Sequence, residues 1–190
     1  MSDADLVRVS FGEAARWCER VAADQADGIV AAAAMVSEAL LAGRQALVFG
    51  NGGSATDASH LAAELVGRFS RPRRALAAVA LTADSAVVTS VANDFGFDQV
   101  FARQVEALGR AGDVAIGITT SGVSANVNAA LETARAQGLR TIGLTGRDGG
   151  ETGRLVDVHL NVPAAETPRI QEVHRVILHV MCELVERRIG

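Results

Sequence analysis

The stretch DVAIGITTSGVSANV, residues 113–127, decides the fold class. Asp113 to Thr119 is an apolar run of the length of a buried strand. Thr120, Ser121 and Gly122 supply turn chemistry, and helical patterning runs from about Ser124 to Gln137. The same strand–turn–helix unit appears upstream. Gln45 to Phe49 is a short apolar run ending in Gly50, Asn51, Gly52 and Gly53, and a helix is predicted from about Ser54 to Arg68. Leu76 to Leu81 reads as another strand, and two short helices fill Asp84 to Leu108, broken near Asn93 to Phe97. Arg140 to Thr145 and Val156 to Val162 are the last two strands. Strands alternating with helices predict an α/β fold, a parallel sheet with helices on both faces.

Long helices bound this core. From about Asp5 to Gly43 the chain is rich in Ala and free of Pro, with Val21, Val30, Met35 and Leu40 at helical spacing. A second long helix is expected from about Thr167 to Ile189. No repeat, low-complexity tract or linker divides the 190 residues, so one domain is expected.

Composition narrows the functional classes. A net charge of −4 gives no reason to expect nucleic acid or an anionic membrane as partner. The longest apolar run, Ile29 to Val36, is too short and Ala-rich to span a bilayer. The first ten residues lack the basic head and apolar stretch of a signal peptide. Cys18 and Cys182 form no CxxC pair and read as reduced thiols. A cytoplasmic protein is expected.

In parallel α/β sheets, ligands bind beyond the carboxyl ends of the strands. Two of those ends are rich in small and hydroxylated residues: Gly50 to Ser54, and Thr119 to Ser124. Glycines allow close backbone approach, and helix N-termini offer free N–H groups to an anion. The hydroxyls of Thr119, Thr120, Ser121 and Ser124 beside such donors form a phosphate cradle that needs no lysine, in a chain that has none. The plainer alternative is an ordinary turn with Ser54 and Ser124 as helix caps. Neither loop is a Walker P-loop or a GxGxxG dinucleotide fingerprint.

A second constellation involves metal-ligating residue types. His60 and Glu64 lie four apart on one helical face. Gln171 and His179 lie eight apart, within roughly 80° of each other at about 100° per residue. His174 lies about 60° from Gln171 on the other side, so spacing alone does not choose between His174 and His179. Imidazole, carboxylate and amide oxygen suit zinc or a similar divalent ion. The arginines at 68, 71, 73 and 74 read as a solvated loop, with Arg68 best placed to steer an anion. His159, on the last strand, reads as structural.

Taken together, GNGGSATDASHLAAEL from Gly50, ANDFGFDQVFARQVEALGRAGDVAIGITTSGVSANV from Ala92, LTGRDGG from Leu144 and RIQEVHRVILHVMCELVE from Arg169 resemble the phosphoheptose isomerases of the SIS (sugar isomerase) superfamily. The resemblance covers most of the chain after residue 45. It implies a single five-stranded SIS domain over residues 1–190, in which segment 1–43 packs on the core and on neighbouring subunits. It implies a homotetramer with active sites at subunit interfaces. It also implies a zinc site at His60, Glu64, Gln171 and His179, and substrate contacts from Asn51, Gly52, Gly53, Ser54, Glu64, Asn93, Asp94, Thr119, Thr120, Ser121, Ser124 and Gln171. Two departures from the family pattern are Thr119, where many relatives carry Ser, and Pro168, where some carry an acidic residue.

The implied reaction is isomerisation of sedoheptulose 7-phosphate to D-glycero-D-manno-heptose 7-phosphate through an enediol, assisted by the metal. It needs a base for a carbon-bound proton and an acid for oxygen. Glu64 and His179 are the candidates for those roles. Two alternatives share the superfamily. One is a non-catalytic SIS protein that binds a replication-initiator partner, whose known form lacks the residues at Glu64 and His179. The other is a hexose-phosphate isomerase.

Overall fold

The computed structural model describes residues 1–190. Helix α1 spans Asp3–Leu41. Ser2 caps it, accepting from Asp5 N–H, while the Asp5 carboxylate accepts from Ser2 N–H. It stops where Gly43 takes a left-handed φ of 73°. Then follow β1 (Ala46–Gly50), α2 (Gly53–Val66), β2 (Ala78–Ala80), α3 (Ser85–Phe95), a 3-10 turn at Phe97–Gln99, α4 (Ala102–Leu108), β3 (Val114–Ile118), α5 (Ala125–Ala136), β4 (Arg140–Gly146), α6 (Thr152–Leu155), β5 (Val158–Val162) and α7 (Thr167–Ile189). The alternation expected from the sequence is present throughout. The break between the two short helices falls at Gly96, with φ 89°. The single turn α6 carries no sequence signal, because four residues are too few for a periodic pattern.

All five strands pair in parallel, in the order β2-β1-β3-β4-β5. Central strands β1 and β3 are buried along their whole length, as parallel strands covered on both faces must be. Successive side chains point to opposite faces. Ala46, Val48, Val114 and Ile116 therefore join α1, α2 and α7 in one core, and Leu47, Phe49 and Ala115 join α4 and α5 in the other.

Helix α1 packs its second half, with Ala32, Ala33, Val36 and Leu40 buried, and leaves Leu6, Val7, Val9 and Phe11 exposed. Between α1 and α7 runs an apolar groove of about 270 Å³, lined by Val21, Ile29, Val30, Val176, Val180 and Leu184 among others. No helix is long and apolar enough to cross a membrane.

Candidate active site

Strand order reverses between β1 and β3, whose ends are in register, Gly50 opposite Ile118. From these two ends α2 leaves to one face and α5 to the other. Such a reversal opens a crevice at the carboxyl edge of the sheet, and both Gly- and hydroxyl-rich loops lie there. A reciprocal amide pair joins them. Asn51 Nδ2 donates to Asn126 Oδ1, and Asn126 Nδ2 donates to Asn51 Oδ1, each at 2.9 Å. Asn51 and Gly52 also line a cavity of about 150 Å³ with Thr82, Val88 and Phe97.

The hydroxyl loop is organised around itself. Thr119 Oγ1 lies 2.9 Å from Ser124 Oγ and 3.3 Å from Ser121 Oγ. Ser124 occupies the N-cap position of α5, yet its side chain makes no capping bond. First-turn N–H groups of that helix are thus uncapped by any side chain and free to meet an anion. Ser54 is not a cap either; Gly52 is the N-cap of α2, with φ 56°. Gly122, at φ 70°, has its carbonyl held by Thr152 N–H at 2.9 Å. The Thr152 hydroxyl sits 3.0 Å from that carbonyl and 2.6 Å from Asn128 Oδ1. Thr120 is half-buried in the loop. Asn93 and Asp94 lie exposed at the end of α3, bonded to each other at 2.7 Å and not to the cradle.

Helices α2 and α7 run side by side in the same direction. Gln171 packs against Gly53, Arg175 pairs with Asp57, and His179 meets His60. His60 Nε2 lies 2.9 Å from His179 Nε2 and 3.5 Å from Glu64 Oε1. Geometry therefore separates the two histidines that spacing left equivalent. His174, on α7, is fully buried against β4, with Nε2 at 2.9 Å from the Thr145 carbonyl and Nδ1 without a partner. Burial holds the His174 pKa below its usual value, with the Thr145 carbonyl opposing. His159 is also structural in its contacts, 2.6 Å from Thr145 Oγ1.

Gln171 is not brought to the imidazole pair within one chain. Shared angle on a helix ignores rise: eight residues at about 1.5 Å each put Gln171 roughly 12 Å from His179 along the axis. Gln171 instead borders a polar recess of about 420 Å³ with Thr56, Asp57, Glu172 and Arg175. No group of three or more His, Cys, Asp or Glu side chains in one chain stands ready-made to hold a metal ion. The donor chemistry at His60, Glu64 and His179 nevertheless fits one. His60 Nε2 faces the His179 ring nitrogen on one side and the Glu64 carboxylate on the other, each at a spacing near the roughly 3.3 Å between neighbouring ligands of a tetrahedral zinc with bonds of about 2.0–2.1 Å. Burial first, then Arg175, lowers the His60 pKa against the pull of Glu64, which favours the neutral imidazole that a metal binds.

The arginine loop departs from expectation. The Arg73 side chain is only 3% exposed and is in ion-pair contact with Glu186. Neither this pair nor the Asn126 and Thr152 braces carries a local sequence signal, because each joins residues far apart in the chain.

Comparison with known proteins decides the family. An SIS domain model matches residues 11–146. A phosphoheptose isomerase of Geobacter sulfurreducens is 54% identical over 171 residues, covering 90% of each chain. The chain belongs to the SIS domain family, among its phosphoheptose isomerases. Solved SIS structures agree: the phosphoheptose isomerase of Neisseria gonorrhoeae superposes with a TM-score of 0.93 at 43% identity, over 98% of this chain and 100% of that one. The one from Francisella tularensis gives 0.94 at 36% identity, with the same coverage. The SIS architecture, five parallel strands with long terminal helices, is thus shared along nearly the whole chain.

Proposed function

We propose that this sugar-phosphate isomerase interconverts sedoheptulose 7-phosphate and D-glycero-D-manno-heptose 7-phosphate. The observation that carries the reading is the meeting of His60, Glu64 and His179 on two parallel helices, one of which starts at the edge of the hydroxyl cradle. The hydroxyls of Thr119, Thr120, Ser121 and Ser124, with the first-turn N–H groups of α5, take the phosphate. Asn51, Gly52, Gly53, Ser54, Asn93, Asp94 and Gln171 contact the sugar.

In the reaction the Glu64 carboxylate removes a proton from C1 of the ketose, giving the enediol, and returns it to C2. His179 gives a proton to the carbonyl oxygen at C2 and accepts one from the hydroxyl at C1, so protons balance over the cycle. His60 would hold zinc most firmly, with Glu64 and His179 attached loosely enough to exchange protons, and with Gln171, which a single chain does not bring to them, taken from the family resemblance as a fourth ligand supplied across a subunit interface. The ion supplies Lewis-acid polarisation of the substrate oxygens when bound. We place the enzyme in the cytoplasm and assemble it as a homotetramer with sites at subunit interfaces. The exposed apolar groove between α1 and α7 supports that assembly.

The test is turnover of sedoheptulose 7-phosphate against fructose 6-phosphate, with and without a chelator. Heptose turnover that a chelator abolishes is expected, with little on the hexose phosphate. Glu64→Gln keeps the shape and loses the base, so kcat is expected to fall by about 10²–10⁴. Near-normal turnover in that variant would remove Glu64 from the mechanism.

A further inference from the structure

Beyond the site, one buried charge stands out. Near the end of α7, the Glu186 carboxylate is 2% exposed. Its Oε1 accepts from Phe69 N–H at 2.9 Å. Its Oε2 accepts from Ser70 N–H, Ser70 Oγ and Arg71 N–H, each at 3.0 Å. Arg73 Nε lies 3.2 Å from Oε1, an ionic contact without hydrogen-bond alignment. From there the Arg73 guanidinium reaches the end of α2. Nη2 donates to the Glu64 carbonyl at 2.6 Å, and Nη1 to the Leu65 carbonyl at 2.9 Å. Last-turn carbonyls of a helix have no partner within the helix; α2 ends at Val66 with Gly67 as its cap, the Gly67 N–H goes to the Ala63 carbonyl, and the Leu65 carbonyl also accepts from Leu76 N–H at 3.1 Å. A cation there also suits the helix dipole.

The turn held by Glu186 carries Phe69, whose ring centroid is 5.5 Å from that of His179. A single carboxylate on α7 therefore joins the backbone of Glu64, through Arg73, to the packing of His179, through Phe69. A buried ion pair is not needed for stability alone, since apolar residues of similar volume often serve as well. What it adds is a fixed register between two parallel helices. Slippage by one residue would move α2 about 1.5 Å along its axis and turn it about 100°, enough to part His60 from His179.

We propose that Glu186 and Arg73 are positioning residues that clamp the end of α2 to α7 and hold His60, Glu64 and His179 together. This rests on the reading of those three as the reacting site. The phosphate cradle lies at the opposite end of α2, so the clamp acts on the chemical step and not on substrate capture.

The experiment compares Glu186→Gln and Arg73→Lys with Glu183→Gln, which alters an exposed pair with Arg187 on the same helix. Three quantities are read: kcat and KM with sedoheptulose 7-phosphate, the thermal melt, and, without substrate, the ¹⁵N ring shifts of His60 and His179. Both clamp variants are expected to lose about ten- to a hundred-fold in kcat, with KM held within about two-fold. The His60 and His179 ring signals are expected to shift together, while Glu183→Gln behaves as wild type. Unchanged ring signals and kcat in a folded clamp variant would overturn the proposal. So would a fall in activity no larger than the unfolded fraction accounts for. Should the wild type fail to turn over the heptose phosphate, the substrate assignment falls, while the ring signals still decide the clamp.

Discussion

Glu186 shows how far surroundings govern a single ionisable residue. Burial alone would raise its pKa, but the N–H groups of Ser70, Phe69 and Arg71 and the Ser70 hydroxyl outweigh burial and hold it at about 2, against an ordinary 4.5. A carboxylate whose folded pKa is depressed contributes stability that is complete above its unfolded value and lost as pH falls through the folded one. The window is therefore from about 4.5 down to about 2. Thermal melts across that range are expected to show Tm falling in the wild type, with a flatter dependence in Glu186→Gln. Cys182 moves the other way, pushed up to about 12 by burial, with Glu64 and Glu186 adding to it. Its thiol is expected to resist a thiol reagent at mildly alkaline pH until denaturant is added, because the thiolate is the reacting form. Prompt labelling of Cys182 in the native enzyme would contradict that burial. Single residues were the least legible scale in the sequence. His174 and His179 differ by five positions and look alike, yet one is sealed under β4 and the other faces His60. Only the direction and depth of α7 separate them.

Helices and strands were far more legible, for a physical reason. A parallel strand buried on both faces must be an apolar run, and the turn after it must carry Gly or hydroxyl residues where a helix begins. VAIGI followed by TTSG therefore announces both the strand and the crevice. What local pattern cannot reveal is bracing between elements. Gly122 accepts two contacts from Thr152, and a Cβ added at Gly122 would run into the backbone of Gly149 and Gly150 while its φ of 70° disfavours any side chain. Gly122→Ala is therefore expected to displace the hydroxyl loop. The phosphate site should weaken, raising KM by about ten-fold for a loss of about 1.4 kcal/mol in binding, and the protein should lose about 1–3 kcal/mol of stability from backbone strain. Steady-state kinetics and denaturant unfolding check both. A normal KM with lowered stability would mean that the loop does not hold the phosphate.

At the scale of the whole molecule, a single chain leaves several apolar surfaces uncovered. Helix α3 has no fully buried residue, only half-buried Val88, Val91 and Ala92 resting on the core. Leu6, Val7, Val9 and Phe11 stand out on the first half of α1. The groove between α1 and α7 is lined wholly by apolar side chains. A groove of that kind suits association with another apolar surface, and the proposed homotetramer would fill it with further copies of this chain. Val176 and Val180 line the groove while remaining 45% and 38% exposed, so neither is needed to hold its own subunit together. Val176→Asp and Val180→Asp should therefore leave the circular dichroism spectrum intact, since a charge at an exposed helix position costs the isolated fold little. In a subunit interface the same charge is buried without a partner, which is strongly unfavourable. Sedimentation is expected to show the variants as smaller species than the wild type, with isomerase activity falling in step if sites are completed across subunits. A full-sized assembly in both variants would place the subunit contacts elsewhere, on α3 or the first half of α1. Smaller species with full activity would keep the interface and make each site self-sufficient within one chain.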